Sequence, residues 1–446
     1  MVQEICLLLL KASAVYFLCI NVVYAVLMLL SWMKIKRYRT RVKDETIKDL
    51  PPVSFIIPAF NEESLIVETI QTYLSLPQSK KEIIVINDGS HDQTMKLLQT
   101  MFQLQKVQDR IFKSITQPEL IVLEAPHMGK AQALNYGVAH ATYDLICTMD
   151  ADTIPTARGV EACLRSFATD SKLVAVGGVI QALNSQVLKN NSPLQNRSKE
   201  WLTTFQRIEY LRAFVCERLG WSFLGSTLLI SGAFCMLKKE AVRKIGGFNH
   251  RSITEDFDLI VRLRRAYPGE NHHFKILPVT TCYTQVPRTI KHLSIQRMRW
   301  QMGLVQTLME NIALFFNPSH GPLGLFAIPY FWFVEVLSPV VEALGLVLIP
   351  YALYQGWVDA QTVFLYLGIG LFFNLIITLF GVYFDNKYVS RNKYWSCFQS
   401  TYETLFLHLG YKQLTSWWRL KALFKSLKKN KSWGDKPREE IIHQTL

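Results

Sequence analysis

The sequence predicts an α/β domain with a mostly parallel sheet, joined to a few membrane-spanning helices. Half of its 446 residues are hydrophobic, 19% are charged, and the mean hydropathy is +0.13. These values are too apolar for an ordinary soluble protein and too charged for a chain made only of membrane spans. Residues 52–150 alternate short β-branched runs with helical stretches, and three long apolar runs lie outside them.

The first apolar run, residues 12–32, contains no charged residue and is long enough to cross a hydrocarbon core of about 30 Å. It is too long for a typical signal-peptide core, and no small-residue cleavage site separates it from the six basic residues that lie between Lys34 and Lys43. We therefore predict an uncleaved span in residues 1–34 and a basic linker in 35–51. By the positive-inside rule, the N-terminus lies outside and the chain after Lys34 is cytoplasmic.

Two further apolar runs, 323–353 and 363–384, predict two spans within residues 318–386. The loop between them has no Lys or Arg, as an external loop should. Glu335 and Glu342 interrupt the first run. They either face a bundle interior or wet pathway, or lie at the interface or pair locally.

The C-terminal region, residues 387–446, is aromatic-rich at 394–421 and basic beyond it. If 394–421 crossed the membrane, the basic tail would lie outside, against the charge rule. We predict an interfacial or re-entrant segment and a cytoplasmic tail. The expected protein is a multi-pass inner (plasma) membrane protein with its catalytic domain in the cytoplasm.

The net charge of +14 is concentrated beside the apolar runs. Residues 386–446 carry 12 Lys and Arg against 4 Asp and Glu, a net of 12 − 4 = +8. This placement indicates contact with a lipid bilayer, whereas a nucleic-acid partner would need base-stacking aromatics on a soluble basic face. The eight scattered cysteines form no CxxC pair, which argues against a zinc site and indicates a reducing compartment.

The α/β domain is predicted over residues 52–288. The expected strands are 53–57, 82–86, 120–123 and 144–149, and the expected helices are 62–76, 92–105 and 130–140. Ligands bind beyond the carboxyl ends of parallel strands in such sheets. Polar clusters follow three strand ends, at 61–62, 87–90 and 150–152, and together predict a site.

Asp150 and Asp152 directly follow the apolar run 145–149. Two carboxylates at i and i+2 on a turn can share one hard divalent cation, Mg²⁺ or Mn²⁺, which would neutralise a diphosphate leaving group. An Asp-x-Asp turn alone is weak evidence, but its position after a buried strand, matched by Asp88, favours a metal site. Lys130 follows a glycine at a helix start, a phosphate-facing position that is not a Walker P-loop.

Residues 254–256, Thr-Glu-Asp, open another helical stretch, where the acids can simply favour the helix N-terminus. Their surroundings add a second interpretation. Ser231 and Gly232 supply a wall of small residues upstream, and an amphipathic helix in 289–317 follows downstream. In such a pocket Asp256 can act as general base for a hydroxyl. In the downstream helix, Arg299 can bind phosphate and Trp300 can stack on a sugar.

Six motifs occur in one order along residues 52–300: Pro-Ala-Phe-Asn-Glu at 58–62, Asn-Asp-Gly-Ser at 87–90, Gly-Lys-Ala at 129–131, Asp-Ala-Asp at 150–152, Thr-Glu-Asp at 254–256 and Gln-x-x-Arg-Trp at 296–300. In this order they resemble the processive, membrane-integrated glycosyltransferase family 2, which includes the cellulose, hyaluronan, chitin and poly-N-acetylglucosamine synthases. The layout is most similar to the last of these.

The resemblance implies a GT-A fold, an inverting mechanism and a UDP-sugar donor, with N-acetylglucosamine the best guess. It assigns Asp256 as the catalytic base. It assigns nucleotide-sugar binding to Glu62, Asp88, Lys130, Asp150 and Arg299, acceptor binding to Ser231, Gly232, Glu255, Gln296 and Trp300, and metal binding to Asp150 and Asp152. The acceptor would be a growing β-linked polysaccharide, fed through the spans. A small membrane accessory subunit is a further possible partner.

Two positions depart from the family pattern. Asn87 stands where a second Asp is frequent, and His127 stands where Asn frequently begins the glycine-lysine motif. Two alternatives stay open at this point. One is a non-processive family 2 enzyme that adds one or a few sugars to a lipid, which the Gln-x-x-Arg-Trp motif disfavours. The other is a catalytically silent membrane scaffold, which the intact acids disfavour.

Overall fold

The computed structural model describes residues 1–42, 49–78, 80–183, 188–189, 192–193, 200–269, 272–390 and 397–427. Part of the predicted linker (43–48) and most of the predicted basic tail (428–446) lie outside these ranges.

The described residues contain a ten-stranded sheet and a separate two-stranded one. The strands of the ten-stranded sheet are rich in Val, Ile and Leu. Val53 and residues 83–86, for example, are completely buried. The strands are β1 Val53–Ala59, β2 Lys81–Asp88, β3 Leu104–Gln108, β4 Ile111–Ser114, β5 Leu120–Ala125, β6 Leu145–Thr148, β7 Thr153–Pro155, β8 Leu173–Leu183, β9 Leu188–Lys189, β10 Ser192–Pro193, β11 Cys235–Lys238 and β12 His273–Gln285. The large sheet has the order β3-β4-β5-β2-β1-β6-β11-β8-β12-β7, and β9 pairs with β10.

The predicted parallel arrangement is present in the neighbouring strands β5, β2, β1 and β6, and again between β8 and β12. The other pairs in the large sheet are antiparallel, so the sheet as a whole is mixed. In the parallel part the chain returns through a helix between successive strands, which brings the carboxyl ends of β1, β2 and β6 to one edge.

The helices either cover this sheet or form the apolar part of the protein. They are α1 Val2–Val42, α2 Ile66–Leu74, α3 Thr94–Met101, α4 Lys130–His140, α5 Ala157–Thr169, α6 Trp201–Leu211, α7 Leu219–Phe223, α8 Lys239–Lys244, α9 Glu255–Ala266, α10 Ile290–Glu310, α11 Ile328–Tyr330, α12 Ser338–Tyr354, α13 Ala360–Phe384, α14 Cys397–Phe406 and α15 Lys412–Leu427. Wider π-helical turns connect α6 to α7, flank α11, follow α13 and join α14 to α15.

The helix predicted over 92–105 is wrong at its C-terminal end. Helix α3 stops at Met101, and β3 and β4 form a hairpin at the edge of the sheet. The chain reverses at Gln103, which has a left-handed φ of 48°, and the Ser114 hydroxyl donates a hydrogen bond of 2.6 Å to the carbonyl of Phe102. The first predicted helix also starts later than expected, at Ile66.

The linker predicted to begin at residue 35 is helical as far as Val42. Helix α1 has 41 residues and is therefore about 60 Å long, twice the thickness of a hydrocarbon core. Its basic end continues as helix because it packs on α7, where the Lys34 ammonium donates to the Ser222 hydroxyl at 3.1 Å.

Three helical segments of the described chain are long and apolar enough to cross a membrane, at Val2–Thr40, Leu323–Tyr354 and Ala360–Val389. Their number and positions agree with the sequence prediction. Residues 397–427 are not among them; this segment is bent at Leu409 and Gly410, where the backbone leaves helical geometry. Whether it is interfacial or re-entrant stays a prediction.

Candidate active site

One cavity of about 1280 Å³ lies at the carboxyl edge of the parallel strands. It is lined by all twelve of the side chains or backbone positions that the sequence singled out: Glu62, Asp88, Lys130, Asp150, Asp152, Ser231, Gly232, Glu255, Asp256, Gln296, Arg299 and Trp300. The structure therefore brings these residues together. Their individual chemical roles remain predictions.

The loops that follow β1 and β2 are fastened to each other. Asn61 adopts a left-handed φ of 54°, and its side-chain oxygen accepts a hydrogen bond of 2.8 Å from the backbone N–H of His91. In return, the Ser90 hydroxyl accepts from the backbone N–H of Asn61 at 2.9 Å. Asparagine tolerates this backbone conformation better than most residues, which explains its place in the loop.

Asp88, at the end of β2, fixes the loop that leads to Lys130. One carboxylate oxygen accepts from the backbone N–H of Met128 at 2.8 Å, and the other accepts from that of Gly129 at 3.0 Å. The side chain is almost completely buried. Asp88 thus shapes the start of α4 in this structure, and direct contact with a nucleotide stays a prediction.

Phe60 and His127 form a stacked aromatic pair on the cavity wall, a feature that sequence reasoning missed. Their ring centroids are 4.0 Å apart and the rings are inclined by 23°. The His127 ring nitrogen Nδ1 lies 3.1 Å from the carbonyl oxygen of Asp88. His127 was noted only as a departure from the family pattern, because nothing in the sequence shows that residues 60 and 127 meet.

Lys130 lies between Asp150, a predicted metal ligand, and Glu255, next to the predicted base. Its ammonium is 2.6 Å from Asp150 Oδ1 and 2.7 Å from Glu255 Oε1. Burial by itself would lower the pKa of Lys130, but the carboxylates of Asp150, Glu255 and Asp256 outweigh it and raise the pKa. The ammonium therefore stays charged at neutral pH and holds the two acidic segments together.

Asp150 and Asp152 supply the oxygen ligands that a hard divalent cation prefers. Both line the cavity, and the Thr284 hydroxyl lies 3.4 Å from Asp152 Oδ1. Among the described residues no group of three or more His, Cys, Asp or Glu side chains forms a ready-made metal site. The two carboxylates fit a cation whose remaining ligands are waters and the oxygens of a bound diphosphate, as is usual for Mg²⁺.

Asp256 is held rigidly at the N-terminus of α9. Its Oδ2 accepts from the backbone N–H of Gly232 at 2.8 Å, and its Oδ1 accepts from that of Phe257 at 2.8 Å. Burial, reinforced by the charge of Glu255, raises the pKa of Asp256, although Lys130 and the two N–H groups oppose the rise. A carboxylate with a raised pKa is a stronger base than an exposed aspartate.

This raised pKa predicts the pH dependence of catalysis. A base works only when it is deprotonated, so turnover should fall as the pH decreases through the pKa of Asp256. Because that pKa is raised, we expect the acidic limb at a higher pH than an ordinary aspartate would give. The measurement is kcat against pH at saturating donor. An acidic limb at or below the usual aspartate range would contradict the prediction.

Gly303 on α10 fixes this helix against the turn that carries Asp256. A Cβ atom built on Gly303 would lie 2.2 Å from the Thr254 hydroxyl oxygen and 2.4 Å from its methyl carbon, far inside contact distance. Only glycine therefore allows the two helices to approach this closely. The same contact places the Gln-x-x-Arg-Trp segment of α10 beside the acids of α9.

We expect Gly303→Ala to reduce kcat by at least about tenfold, because the clash moves Thr254 and misplaces the base. The KM for the donor should change little, since the strand-end loops are not touched. Steady-state kinetics of the purified protein measure both. Gly345→Ala is the matched control, because nothing lies within 4 Å of an added Cβ on that helical glycine. Equal kinetics for the two variants would contradict the prediction.

Helix α10 brings Gln296, Arg299 and Trp300 to the cavity, as predicted. The neighbouring Arg297, which sequence reasoning passed over, is almost buried and its guanidinium lies 4.4 Å from the centroid of the Trp300 ring. It pairs with Glu209 of α6. The sequence shows the arginine but not its partner, because nothing marks Glu209 as a neighbour.

The cavity continues between the three apolar helical segments. Residues of α1 and α13 line it, among them Asn21 and Asn374. Glu335 and Glu342 line it as well, and both are also paired with α15: Glu335 with Arg419, at 3.1 Å, and Glu342 with Lys412, at 3.5 Å. The sequence left open whether these acids face a bundle interior or pair locally. Both interpretations apply, since each acid faces the cavity and has a local partner.

Comparison with known proteins identifies the α/β domain. Residues 54–246 match the model of glycosyl transferase family 2. Over these residues the chain is similar to that family. The match ends before Asp256, so the predicted base and the Gln-x-x-Arg-Trp segment come from the chain that follows the matched residues.

Curated relatives that share sequence with this chain are poly-β-1,6-N-acetyl-D-glucosamine synthases. The one from Staphylococcus aureus (strain COL) is 31% identical over 288 residues, which are 64% of this chain and 63% of the relative. The one from Staphylococcus epidermidis is 32% identical over 259 residues, or 58% and 56%. The matched part thus spans less than two thirds of these relatives.

Among solved structures, a mannosyltransferase from Pyrobaculum calidifontis, in complex with GDP-Man and Mn²⁺, resembles this chain with a TM-score of 0.59. The two are 19% identical, and the match covers 94% of this chain and 99% of that one. At this identity the likeness concerns the fold alone. The predicted GT-A fold and the resemblance to family 2 are both confirmed.

Proposed function

We propose that this chain is an inverting glycosyltransferase that moves a sugar from a UDP-sugar onto a growing β-linked polysaccharide at the membrane. The observation that carries the proposal is one continuous cavity, which joins the strand-end acids, Asp256 and Trp300, and then continues between the apolar helices. A donor site, a base and an acceptor platform are thereby adjacent to a route out of the domain.

The reaction is a single displacement at the anomeric carbon of the donor sugar. The acceptor hydroxyl forms the new C–O bond while its proton passes to a carboxylate oxygen of Asp256. The bond from the anomeric carbon to the diphosphate breaks, and UDP leaves with the electron pair. Attack from the opposite face converts an α-linked donor into a β-linked product.

The charge that develops on the departing diphosphate needs cationic partners. Lys130 and Arg299 line the cavity and can supply two of them, the second as a bidentate fork. Asp150 and Asp152 would hold the Mg²⁺ or Mn²⁺ that, when bound, neutralises phosphate oxygens. The Mn²⁺ in the Pyrobaculum mannosyltransferase supports a divalent metal in general, without distinguishing the two ions.

N-acetylglucosamine is the proposed sugar. The support comes from the names of the staphylococcal relatives, which synthesise poly-β-1,6-N-acetyl-D-glucosamine. The nucleotide is proposed to be UDP on the strength of the family resemblance. We further propose a plasma-membrane location with a cytoplasmic catalytic domain, lipid contact along the three apolar segments, and export of the product between them.

The test is UDP release by the detergent-purified protein, given each candidate UDP-sugar in turn with Mg²⁺ or Mn²⁺. We expect UDP-N-acetylglucosamine to support release and a long polymer to appear on a gel. Release with a different sugar alone would overturn the choice of donor. No release with any UDP-sugar in the presence of oligosaccharide primers and membrane lipid would overturn the activity.

Product length and location test the polymer and its export. Products of one or a few sugars attached to lipid would favour the non-processive alternative. In sealed vesicles with the active site facing outward, an exported polymer accumulates inside and is protected from an added glycosidase. Polymer that remains wholly outside, on the active-site face, would overturn the export proposal.

A further inference from the structure

We propose that Glu209 and Tyr411 are positioning residues that fix Trp300 through Arg297, so that segment 397–427 completes the acceptor site. The inference rests on the proposed glycosyltransferase function, because it concerns the platform on which the acceptor sugar would stack. It adds a second link between the C-terminal segment and the chemistry, beyond the pairs with Glu335 and Glu342.

The four side chains form a continuous chain of contacts. The Arg297 guanidinium lies 4.4 Å from the centroid of the Trp300 ring, and its Nη2 donates a hydrogen bond of 2.5 Å to Glu209 Oε2. The Tyr411 hydroxyl donates to the same oxygen at 2.7 Å. Glu209 is thus the junction between α6, α10 and the turn that joins α14 to α15.

Arg297 depends on this junction because its charge is buried. Only 8% of the residue is exposed, and its Nε–H has no hydrogen-bond partner in the described part of the chain. A buried charge without its counter-ion is strongly unfavourable, so loss of Glu209 should release the guanidinium from its place. The Trp300 ring would then lose the cation that rests against its face.

Tyr411 is itself held by an apolar cluster. Its ring packs among buried side chains of α6, α10 and the C-terminal segment, namely Leu202, Ile208, Leu293, Leu407 and Trp418. Burial and the charge of Glu209 raise the pKa of the Tyr411 hydroxyl, which therefore keeps its proton and acts as a donor. By donating this hydrogen bond, the Tyr411 hydroxyl fixes the position of the Glu209 carboxylate.

Loss of this network should affect acceptor binding and leave donor binding unchanged. Trp300 lines the cavity with 37% of its surface exposed, and its orientation decides how a sugar ring can stack on it. On the donor side, Asp88 is bonded to the backbone of Met128 and Gly129, and Asp150 is paired with Lys130. A loosened Trp300 should therefore weaken acceptor binding and let the growing chain dissociate earlier, while donor binding is preserved.

The experiment uses the full-length purified protein, UDP-N-acetylglucosamine and short β-linked N-acetylglucosamine oligosaccharides as acceptors. For Tyr411→Phe and Glu209→Gln we expect the KM for the oligosaccharide to rise about tenfold or more and the products to shorten. The donor KM should stay within about twofold, and so should kcat at saturating acceptor. Tyr402→Phe is the matched control, because that tyrosine lies in the same segment and is 58% exposed.

A double variant separates positioning from general damage. If Tyr411 and Arg297 act on one platform, Tyr411→Phe and Arg297→Lys together should raise the acceptor KM less than the product of their separate effects. Multiplying effects, or an unchanged acceptor KM and product length in the single variants, would overturn the inference while the wild type still makes polymer. A wild-type protein without transferase activity would overturn the proposed function and this inference with it.

Discussion

Replacement of Asp256 by asparagine should reduce sugar transfer by about a thousandfold or more, with donor binding retained. Asparagine has nearly the same shape, and its one side-chain oxygen can still accept from one of the two backbone N–H groups, those of Gly232 and Phe257, that now hold the carboxylate. It cannot take the proton of the acceptor hydroxyl. A positioned general base contributes about 10²–10⁴-fold, and the neighbouring cations cannot replace it.

The measurement is UDP release at saturating donor and acceptor, with UDP affinity determined separately by calorimetry. Glu240→Gln serves as the control, because Glu240 is an exposed acid in the first turn of the neighbouring helix α8 and tests the mere loss of a helix-terminal charge. Asp256→Asn with more than a tenth of the wild-type rate would contradict the assignment. Glu255 would then be the next candidate, although its carboxylate is engaged by Lys130 at 2.7 Å.

Removal of divalent metal should reduce sugar transfer about as much as Asp256→Asn does. We expect EDTA to abolish UDP release and added Mg²⁺ or Mn²⁺ to restore it, because two adjacent carboxylates would otherwise face a diphosphate of the same charge. Asp152→Asn should lower activity at least about 100-fold at a fixed metal concentration. Asp152 is the better residue to substitute, because Asp150 also pairs with Lys130. A substitution at Asp150 would disturb both metal binding and this ion pair.

The affinity for UDP, measured with and without metal, gives a second test of the metal site. In wild-type protein the affinity for UDP should increase on addition of Mn²⁺, and Asp152→Asn should lose that increase. Asp144→Asn is the control, because Asp144 is exposed just before β6, at the opposite end of the strand from Asp150. Full activity in EDTA after dialysis, or Asp152→Asn with wild-type metal dependence, would rule out the metal site.

The sequence predicts which polar residues lie together where the chain is ordered by parallel strands. Because β1, β2 and β6 lie side by side, the polar residues that follow them meet at one edge, and the alternation of strands and helices was enough to predict that Asp88 and Asp150 would converge. The three apolar segments were likewise predicted from length and composition alone.

The sequence failed where structure depends on unusual backbone or distant pairing. The chain passes from α3 to β3 at Gln103, and the β3–β4 hairpin turns at Arg110. Both residues adopt left-handed φ values without being glycine, so no local signal marked them. Glu209 and Tyr411 are 202 positions apart, and only the packed apolar cluster brings them together. Such contacts are specified by the tertiary fold and leave no periodic pattern in the chain.

If segment 397–427 completes the acceptor site as proposed, the order of synthesis along the chain delays the completion of that site. Tyr411 is synthesised 111 residues after Trp300, so at about 5–20 residues per second Trp300 exists for roughly 6–22 s before Glu209 gains this partner. Arg419, Lys412 and their acidic partners in the cavity wall meet in the same late interval. A nascent chain would therefore lack the proposed acceptor platform until α15 has been made.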